Sequence, residues 1–289
     1  MKYAAIDIGT NSCRLIIVEV TDNGLNTLKK QVEITRIGEG LSKSSNLSPD
    51  AINRTISCLN DFKKTIENHK AQSFRVIATN AVREAKNQED FLLKVKEQCG
   101  LEIDVISSDE EAKLSYLGVE KGLKFEQLPV LVDLGGGSTE FIFNGEYSYV
   151  NSIPIGAVKV TENNMSIFDI KNIFREILEH KEKFENSPLA FVGGTATSLV
   201  AIKEGMETYK PDIVHGYKLK REEVADLYNL LERMPLNVRK RLPGLQPERA
   251  DIITGGAKVV LLIMDLLEKN EITISESDIM EGTIWSLLN

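Results

Sequence analysis

A short pattern occurs twice in the chain, and it constrains the fold more than any other feature of the sequence. Asp7-Ile8-Gly9-Thr10 follows an apolar strand and opens into a second strand, and Asp133-Leu134-Gly135-Gly136-Gly137-Ser138-Thr139 does the same later. One strand–Asp–Gly–turn–strand unit in each half predicts two related lobes with a cleft between them. The chain has 289 residues, a length that also suggests two domains.

Strands that alternate with helices predict an α/β fold. The predicted strands span residues 3–9, 13–20, 25–35, 74–78, 103–106, 130–133, 139–143, 147–153 and 190–192. The predicted helices span about 48–69, 80–84, 90–98, 109–120, 168–184, 195–203, 221–231, 248–267 and 277–288. Ser48 is predicted to cap the first of these helices and Asp109 the one over 109–120. The Gly- and Ser-rich segment 38–46 is predicted to be a mobile loop, and 122–129 a domain boundary.

The charge balance argues against a general nucleic-acid or anionic-membrane binder, but it leaves open a small anionic ligand at a local site. The 43 acidic residues exceed the 35 basic ones, so the net charge is −8, whereas nucleic acids and anionic membranes need a basic face. No apolar run approaches ~18 residues, so no membrane span is expected. The three cysteines form no C-x-x-C pair and no signal peptide is recognisable. These features predict a cytoplasmic protein with reduced thiols.

The glycine turns suggest anion binding. A turn of Gly-Gly-Gly-Ser-Thr presents several backbone N–H groups without Cβ atoms in the way, which is the usual cradle for a phosphate. Aspartates directly before two such turns, Asp7 and Asp133, could hold Mg²⁺ that bridges to phosphate oxygens. A third turn at Gly193-Gly194-Thr195 precedes a helix, whose N-terminus also attracts anions. Each Asp-x-Gly could instead be only a turn, and the third could reflect close helix–strand packing.

Six strings together resemble one known family. They read AAIDIGTNSCRLIIVEV from Ala4, ATNAVREA from Ala78, VISSDEEAKLSYLGV from Val105, LVDLGGGSTEF from Leu131, VGGTATSLVA from Val192 and LPGLQPERADIITGG from Leu242. They resemble the exopolyphosphatase/guanosine pentaphosphate phosphatase (Ppx/GppA) family, within the sugar kinase/actin/heat-shock ATPase superfamily. The resemblance covers nearly the whole chain.

The resemblance implies a two-lobed, duplicated ribonuclease-H-like (actin-like ATPase) fold with the active site in the interdomain cleft, which is expected to close around its ligand. Lobe I would comprise residues 1–121 with the C-terminal helix 277–289, and lobe II residues 122–276. The implied activity is a hydrolase of phosphoric anhydride bonds that uses Mg²⁺, or Mn²⁺, to release terminal orthophosphate from inorganic polyphosphate. The alternatives are a guanosine pentaphosphate 5′-phosphohydrolase of the stringent response, a non-catalytic nucleotide- or polyphosphate-binding regulator, and an actin-like or kinase ATPase.

The resemblance also implies site residues. Glu111 matches the catalytic glutamate, Arg83 the substrate-phosphate arginine, and Asp7, Asp133 and Glu140 the acidic metal positions. The implied substrate-binding residues are Gly9, Thr10, Asn11, Ser12, Arg14, Gly135, Gly136, Gly137, Ser138, Thr139, Gly193, Gly194 and Thr195. The residues alone cannot distinguish Glu111 from Glu110, because either could be a solvated acid favoured by the helix dipole.

The expected partner is polyphosphate or guanosine pentaphosphate, with no nucleic acid and no membrane. The family also implies a possible homodimer. Longer members carry extra helical domains after the two lobes, so we expect short polyphosphates or a nucleotide to be favoured over long chains. The slightly basic stretch 200–260, with Lys218, Lys220, Arg221 and the 239–241 run, could guide a trailing phosphate chain. A solvated basic face is the alternative.

Overall fold

The computed structural model describes residues 1–21, 24–123, 125–144 and 148–288. The chain divides into two compact units: unit 1 is Met1–Gly118 with Ile279–Asn289, and unit 2 is Val119–Asp278. The resemblance places the first lobe boundary after residue 121, three residues later than the end of unit 1 at Gly118. It places the second after residue 276, two residues before unit 2 ends at Asp278. The predicted boundary segment 122–129 includes Lys124, which lies outside the described residues.

The regular elements alternate between strand and helix along most of the chain. The strands are β1 (Lys2–Ile8), β2 (Cys13–Thr21), β3 (Gly24–Glu33), β4 (Ser73–Ala78), β5 (Asp104–Val105), β6 (Val130–Leu134), β7 (Thr139–Asn144), β8 (Ser148–Ile153), β9 (Leu189–Val192), β10 (Lys218–Lys220) and β11 (Glu271–Ile274). The helices are α1 (Leu41–Ser44), α2 (Pro49–His69), α3 (Asn80–Glu84), α4 (Gln88–Cys99), α5 (Ser108–Gly122), α6 (Ala157–Glu162), α7 (Ile167–Ile173), α8 (Arg175–Leu178), α9 (Lys181–Phe184), α10 (Gly194–Lys203), α11 (Pro211–Val214), α12 (Arg221–Arg233), α13 (Leu236–Arg239), α14 (Ile253–Leu266) and α15 (Ile279–Ser286).

The sheet of unit 1 has the order β3-β2-β1-β4-β5 among the described strands. The first three strands are antiparallel neighbours, whereas β1, β4 and β5 run parallel. Parallel strands end at the same edge of a sheet, so the segments that follow β1, β4 and β5 meet there. That edge collects the first glycine turn, α3 and the start of α5.

Alternation along β1 gives unit 1 a core on each face of its sheet. Ala4, Ile6 and Ile8 pack with the buried faces of α2 and α4. Ala5 faces the other way and packs with α5 and α15. Helix α2 begins as predicted, because the Ser48 side chain accepts a hydrogen bond from the Ala51 N–H.

Helices α15 and α5 cross at a glycine inside unit 1. A Cβ on Gly282 would lie 1.8 Å from the Leu114 carbonyl oxygen and 3.2 Å from the Gly118 nitrogen. The backbones therefore touch, and only a residue without a side chain fits the crossing. The C-terminal helix consequently completes the fold of unit 1.

The sheet of unit 2 has the order β10-β11-β9-β6-β7-β8 in the described part of the chain. Strands β6, β7 and β8 are antiparallel, and β6, β9 and β11 are parallel. In both sheets, three antiparallel strands are therefore followed by two strands parallel to the third. These are β3-β2-β1 followed by β4 and β5 in unit 1, and β8-β7-β6 followed by β9 and β11 in unit 2. The strand–Asp–Gly–turn–strand repeat of the sequence is the β1–β2 hairpin in unit 1 and the β6–β7 hairpin in unit 2.

Several predicted elements were wrong. The helix predicted over 168–184 is three short helices, because around Phe174 and His180 the backbone bonds run between residues three apart, as in Ile177 N–H to Phe174 O. The helix predicted over 248–267 is a 3₁₀ turn, Pro247–Arg249, followed by α14. Strands β10 and β11, of three and four residues, were missed.

Smaller differences concern ends and loops. The segment 38–46 contains α1 and is not entirely loop. Helix α5 begins at Ser108, and the Ser107 hydroxyl, not Asp109, accepts a bond from the Glu110 N–H. Tyr147, predicted as the first residue of a strand, lies outside the described residues. None of the helices that the structure describes combines the length and the apolar character needed to cross a bilayer.

Candidate active site

The first predicted phosphate turn, residues 9–12, joins β1 to β2. The Gly9 N–H donates to the Ser12 carbonyl (3.0 Å) and closes the turn. Just before and after it, Asp7 and Arg14 face each other across the two strands. Arg14 Nη2 and Nε lie 2.7 and 2.9 Å from Asp7 Oδ2. Asp7 is 4% exposed, so the guanidinium neutralises a nearly buried carboxylate at the base of the turn.

A second backbone segment holds this turn. The Arg36 N–H donates to the Asn11 carbonyl (2.8 Å), and the Gly38 N–H donates to the Thr10 carbonyl (3.0 Å). A Cβ on Gly38 would lie 2.5 Å from Thr10 Cγ2, so the approach requires glycine. The two carbonyl groups are thereby occupied on one side of the turn.

The two residues that the resemblance implies to be catalytic are in contact. Arg83, on α3, and Glu111, in the first turn of α5, lie with Nη1 and Oε2 3.0 Å apart. Arg83 Nη1 also donates to the Ile106 carbonyl at 2.8 Å. Their side chains are 22% and 14% exposed. The ends of β4 and β5 deliver both residues to the edge of the sheet where the first glycine turn lies.

The structure separates Glu111 from its neighbour Glu110. Glu110 Oε1 lies 2.8 Å from Arg75 Nη2, while Arg75 Nε lies 2.9 Å from Asp104 Oδ2. Burial opposes the charge on Arg75, but its hydrogen bonds with Glu110 and Asp104 outweigh burial and raise its pKa above the usual value. Glu110 therefore belongs to a group of ion pairs with Arg75 and Asp104. Glu111 instead pairs with Arg83, which lies at the sheet edge that carries the first glycine turn.

The glycine turn of unit 2 is held by the start of α6. The Gly135 carbonyl accepts from the Ala157 N–H (3.0 Å), and the Gly136 carbonyl accepts from the Val158 N–H (3.0 Å). The C=O and N–H of a trans peptide point in opposite directions. The N–H groups of Gly136 and Gly137 consequently point away from α6, and their predicted contact with phosphate stays a prediction.

The hydroxyl residues of this turn are buried. Thr139 is 0% exposed and its Oγ1 donates to the Ile155 carbonyl at 2.6 Å. Ser138 is 5% exposed, and its carbonyl closes the turn by accepting from the Gly135 N–H (3.1 Å). The hydroxyl hydrogen of Thr139 is thus directed at the backbone in this structure, and its predicted contact with phosphate stays a prediction.

Two carboxylates face each other on the second hairpin. Asp133 on β6 is the register partner of Glu140 on β7, at the same spacing that separates Asp7 from Arg14. Glu140 is 3% exposed and Oε1 accepts from Ser152 Oγ at 2.8 Å. Like charges directly opposite each other are destabilising, and a hard cation bound by their oxygens would relieve this. The donor chemistry therefore fits Mg²⁺.

The complete set of predicted metal acids is not assembled as one cluster. Asp7 belongs to unit 1, and Asp133 and Glu140 to unit 2. Across residues 1–21, 24–123, 125–144 and 148–288, no three His, Cys, Asp or Glu side chains are grouped as a metal site requires. A metal held by all three acids stays a prediction.

The third glycine turn lies against an arginine that the sequence analysis missed. Gly193 has φ +97°, and a Cβ there would lie 2.6 Å from the Leu134 carbonyl oxygen. A Cβ on Gly194 would lie 1.2 Å from Arg249 Nη1, so the guanidinium is placed on the turn itself. Adjacent glycines indicate a close approach, but the sequence does not say which side chain approaches.

Thr195 packs inward at this turn. It is 7% exposed, and a Cβ on Gly256 of α14 would lie 2.4 Å from Thr195 Oγ1. Because β6 pairs with β9 as well as with β7, the second and third glycine turns follow neighbouring strands. Unit 2 therefore places two glycine turns and Arg249 at one edge of its sheet.

The basic stretch 200–260, which could guide a trailing phosphate chain, is partly neutralised by ion pairs. Lys218 Nζ lies 3.1 Å from Glu271 Oε1, and Arg221 Nε lies 2.6 Å from Asp265 Oδ1. These pairs favour the alternative of a solvated, charge-balanced face at these positions. A phosphate track along the stretch 200–260 stays a prediction.

Sequence comparison places the chain among phosphatases. The sequence model of the Ppx/GppA phosphatase family matches residues 16–289. Exopolyphosphatase 2 of Mycobacterium tuberculosis is 34% identical over 317 residues, which cover 99% of this chain and 98% of that protein. A bifunctional 3-dehydroquinate synthase/phosphatase of Fusobacterium nucleatum is 35% identical over 306 residues, 97% of this chain but 46% of that protein.

A guanosine-5′-triphosphate,3′-diphosphate pyrophosphatase of Photobacterium profundum is 29% identical over 304 residues, 99% of this chain and 59% of that protein. The chain thus spans about half the length of two of these relatives and nearly all of the third. The crystal structure of the Aquifex aeolicus Ppx/GppA family member is 32% identical and superposes with a TM-score of 0.81, covering 100% of this chain and 97% of that one. The mixed α/β fold with two sheets is therefore the actin-like, two-domain fold of these structures, and the chain belongs to the Ppx/GppA phosphatase family.

Proposed function

We propose that this chain is an exopolyphosphatase, which transfers the terminal phosphoryl group of inorganic polyphosphate to water and releases orthophosphate. The observation that carries the proposal is the contact between Arg83 and Glu111 beside the first glycine turn. Phosphoryl transfer to water requires positioning and charge neutralisation more than covalent chemistry. A carboxylate fixed by an arginine, next to backbone donors, meets those requirements.

Glu111 acts on the attacking water. Arg83 Nη1 fixes one carboxylate oxygen, and the side chain keeps 14% exposure through which a water molecule can reach it. The carboxylate accepts a hydrogen bond from that water, orients its lone pair toward the terminal phosphorus, and takes its proton. The bond from phosphorus to the bridging oxygen breaks, and its electron pair leaves with the shortened polyphosphate.

Arg83 connects this base to the substrate. The bonds described above use Nη1, so Nε and Nη2 can donate to an oxygen of the terminal phosphate. A planar guanidinium suits this bridging role because its donors have a fixed fork geometry, whereas a lysine ammonium offers one point charge.

Unit 2, taken by itself, carries further groups that can neutralise phosphate charge. The N–H groups of Gly136 and Gly137 donate to phosphate oxygens, and Arg249 adds charge at the neighbouring turn. Mg²⁺, or Mn²⁺, would be held by Asp133 and Glu140, and when bound it would neutralise phosphate charge as the reaction proceeds.

Guanosine pentaphosphate is the second candidate substrate, because a relative at 29% identity is named for a guanosine polyphosphate. The chemistry is the same, with the 5′-terminal phosphate released and guanosine tetraphosphate as the product. The turns and arginines described here recognise a chain of phosphates, and recognition of a guanine base would need further contacts.

The deciding experiment measures phosphate release, with and without Mg²⁺, from short and long polyphosphate, guanosine pentaphosphate and ATP. We expect the highest kcat/KM for polyphosphate, and a loss of about 10²–10⁴-fold in Glu111→Gln. Glu110→Gln is the matched control and should change the rate by less than about twofold, because Glu110 pairs with Arg75 and not with Arg83.

Each other outcome identifies an alternative. Full activity in Glu111→Gln would contradict the role assigned to this residue. A higher kcat/KM for guanosine pentaphosphate would favour the nucleotide phosphohydrolase. Tight polyphosphate binding without phosphate release would favour a regulator, and rapid ATP turnover or transfer to a sugar would favour a kinase-like ATPase.

A further inference from the structure

Arg54, on α2, links two points of the segment that runs beside the first glycine turn. Its Nε donates to the Thr35 carbonyl (3.0 Å), and its Nη2 lies 2.8 Å from Glu39 Oε2. Thr35 is 3% exposed, so its carbonyl is withdrawn from solvent and needs a donor from the protein. We call residues 35–39 the clasp segment. One guanidinium therefore ties both ends of the clasp segment to α2.

The middle of the clasp segment holds the glycine turn. The Arg36 N–H donates to the Asn11 carbonyl (2.8 Å), and the Gly38 N–H donates to the Thr10 carbonyl (3.0 Å). The C=O and N–H of a trans peptide point in opposite directions. The N–H groups of Asn11 and Ser12, which share peptide units with these two carbonyls, therefore point away from the clasp segment. The clasp segment thus sets the direction of two backbone donors in the turn.

The shape of the clasp segment depends on contacts with its surroundings. Arg36 has φ +48°, a left-handed backbone conformation that residues with a Cβ rarely adopt. The segment lies between the end of β3 and the start of α1 and belongs to neither. A strained conformation persists only where neighbouring contacts fix it. Arg54 supplies two such contacts from α2, whose apolar face is buried in the core of unit 1.

The glycine turn of unit 2 is held by a more regular element. Its two N–H donors belong to consecutive residues, Ala157 and Val158, at the start of α6. The backbone of a helix keeps such groups in fixed directions. In unit 1 the two donors, Arg36 and Gly38, come from a segment without helical structure. A side-chain link to α2 therefore supplies the rigidity that α6 provides within unit 2.

From these contacts we propose that Arg54 is a positioning residue for substrate binding. Through the clasp segment it holds the first glycine turn with the Asn11 and Ser12 N–H groups directed toward a phosphate oxygen of the substrate. The identity of this ligand rests on the proposed function. Arg54 acts through the clasp segment and not by contact with the substrate. A turn that is held loosely loses donors to the phosphate in the ground state and the transition state alike, which raises KM and leaves kcat nearly unchanged.

The kinetic test compares Arg54→Met with the wild type on tripolyphosphate, with the purified full chain. We expect KM to rise about tenfold, because hydrogen bonds to a charged group are lost, and kcat to stay within about twofold. Arg54→Lys should give an intermediate KM. Its ammonium group can reach the Thr35 carbonyl or the Glu39 carboxylate, but it lacks the fork that binds both.

Two further variants separate the link to the turn from surface charge. Glu39→Gln keeps the bond from Arg54 to the Thr35 carbonyl and removes an exposed ion pair, so KM should change by less than about twofold. Lys64→Met is the matched control on α2, because Lys64 pairs with Asp61 at 3.1 Å and the two side chains are 71% and 70% exposed. A rise in KM that is as large in Lys64→Met as in Arg54→Met would overturn the proposal.

Hydrogen exchange tests the clasp segment without any turnover. The amides of Arg36 and Gly38 should exchange at least about fivefold faster in Arg54→Met than in the wild type. The amides of Ala157 and Val158 should exchange at the same rate in both proteins. Thermal unfolding shows whether each variant is folded, and Arg54→Lys replaces Arg54→Met if the methionine is not tolerated. Unchanged exchange at Arg36 and Gly38 would overturn the link.

Binding separates this inference from the proposed function. Calorimetry with tripolyphosphate measures Kd in the Glu111→Gln variant, in which hydrolysis is slow. Adding Arg54→Met to that variant should raise Kd about tenfold. An equal Kd in the two proteins, or a wild-type KM in Arg54→Met, would overturn the role of Arg54. Binding that depends on Arg54 in a chain that never releases phosphate would contradict only the proposed function.

Discussion

Arg83 Nη1 lies 3.0 Å from Glu111 Oε2, one residue along α5 from a second arginine–glutamate pair, Arg75 with Glu110 at 2.8 Å. The two arginine side chains are equally exposed, at 22%. They come from different elements, because Arg83 lies on α3 and Arg75 on β4. One helix N-terminus therefore carries two adjacent ion pairs of similar geometry, and only the Arg83 pair lies beside a glycine turn.

The first prediction uses this pairing. Arg83→Lys should lower kcat/KM for polyphosphate by about 10²–10³-fold, because an ammonium group cannot hold Glu111 and Ile106 while it donates to a phosphate. Arg75→Lys is the control and should stay within about twofold, since Arg75 pairs with Glu110 and Asp104 and not with Glu111. Steady-state kinetics of the two variants, with unfolding curves for both, provide the measurement. Equal losses in both would show that the pairs are only structural.

The second prediction separates the two glycines of the third turn. Gly193 has φ +97° and ψ 163°, a conformation open essentially to glycine, so Gly193→Ala should destabilise the fold by about 1–3 kcal/mol from the backbone alone. Gly194→Ala meets the far end of Arg249, which can swing away. It should change stability by less than about 1 kcal/mol and still raise KM about tenfold. Urea unfolding and KM measurements check both, and an unchanged KM in Gly194→Ala would remove Arg249 from the site.

The third prediction concerns the crossing of α15 and α5. Ala is favoured over Gly within a helix by about 1 kcal/mol, which alone would make Gly282→Ala stabilising. The new Cβ would lie 1.8 Å from the Leu114 carbonyl oxygen, and the backbone cannot yield as a side chain does. We therefore expect a net loss of about 1–3 kcal/mol, measured by urea unfolding. Ser286→Ala, near the end of the same helix, should be nearly neutral, and a more stable Gly282→Ala would disprove the close crossing.

The fourth prediction concerns high pH. Burial, with the neighbouring Glu232 carboxylate at 2.5 Å, raises the pKa of Tyr228 to about 12. A pKa that is higher in the folded state contributes stability that is complete below the unfolded value of ~10 and is lost as pH rises toward the folded value. The free energy of unfolding should therefore fall between about pH 10 and 12, and by less in Tyr228→Phe. Parallel curves for the two proteins would contradict the assignment.

Local chemistry made the hairpins and the start of α2 predictable. An apolar strand followed by Asp-x-Gly can turn in few ways, and Ser48-Pro49 combines a cap with a residue suited to the first helical position. The predicted site residues beside the turns follow from the same strings. Their placement at the sheet edges follows from parallel strands, which the alternation of strand and helix indicates.

The features that the sequence did not predict depend on tertiary contacts between distant residues. Glu110 and Glu111 are equivalent by sequence, and only the position of Arg75 on β4 and Arg83 on α3 distinguishes them. Arg249 reaches Gly194 across 55 positions of sequence, so no local period reports the contact. Strand β11 pairs with β9 although its four residues carry little pattern, because the neighbouring strand supplies its hydrogen bonds.

The matched register of Asp7 with Arg14 and of Asp133 with Glu140 has a consequence for how a duplicated fold diverges. In both hairpins an aspartate on the first strand is the register partner of the residue seven positions later on the second strand. A base at that later position gives a neutral dipolar pair, and an acid gives a doubly negative one. Exchange at a single position therefore changes the charge of the hairpin from neutral to doubly negative without altering the backbone register that the two hairpins share.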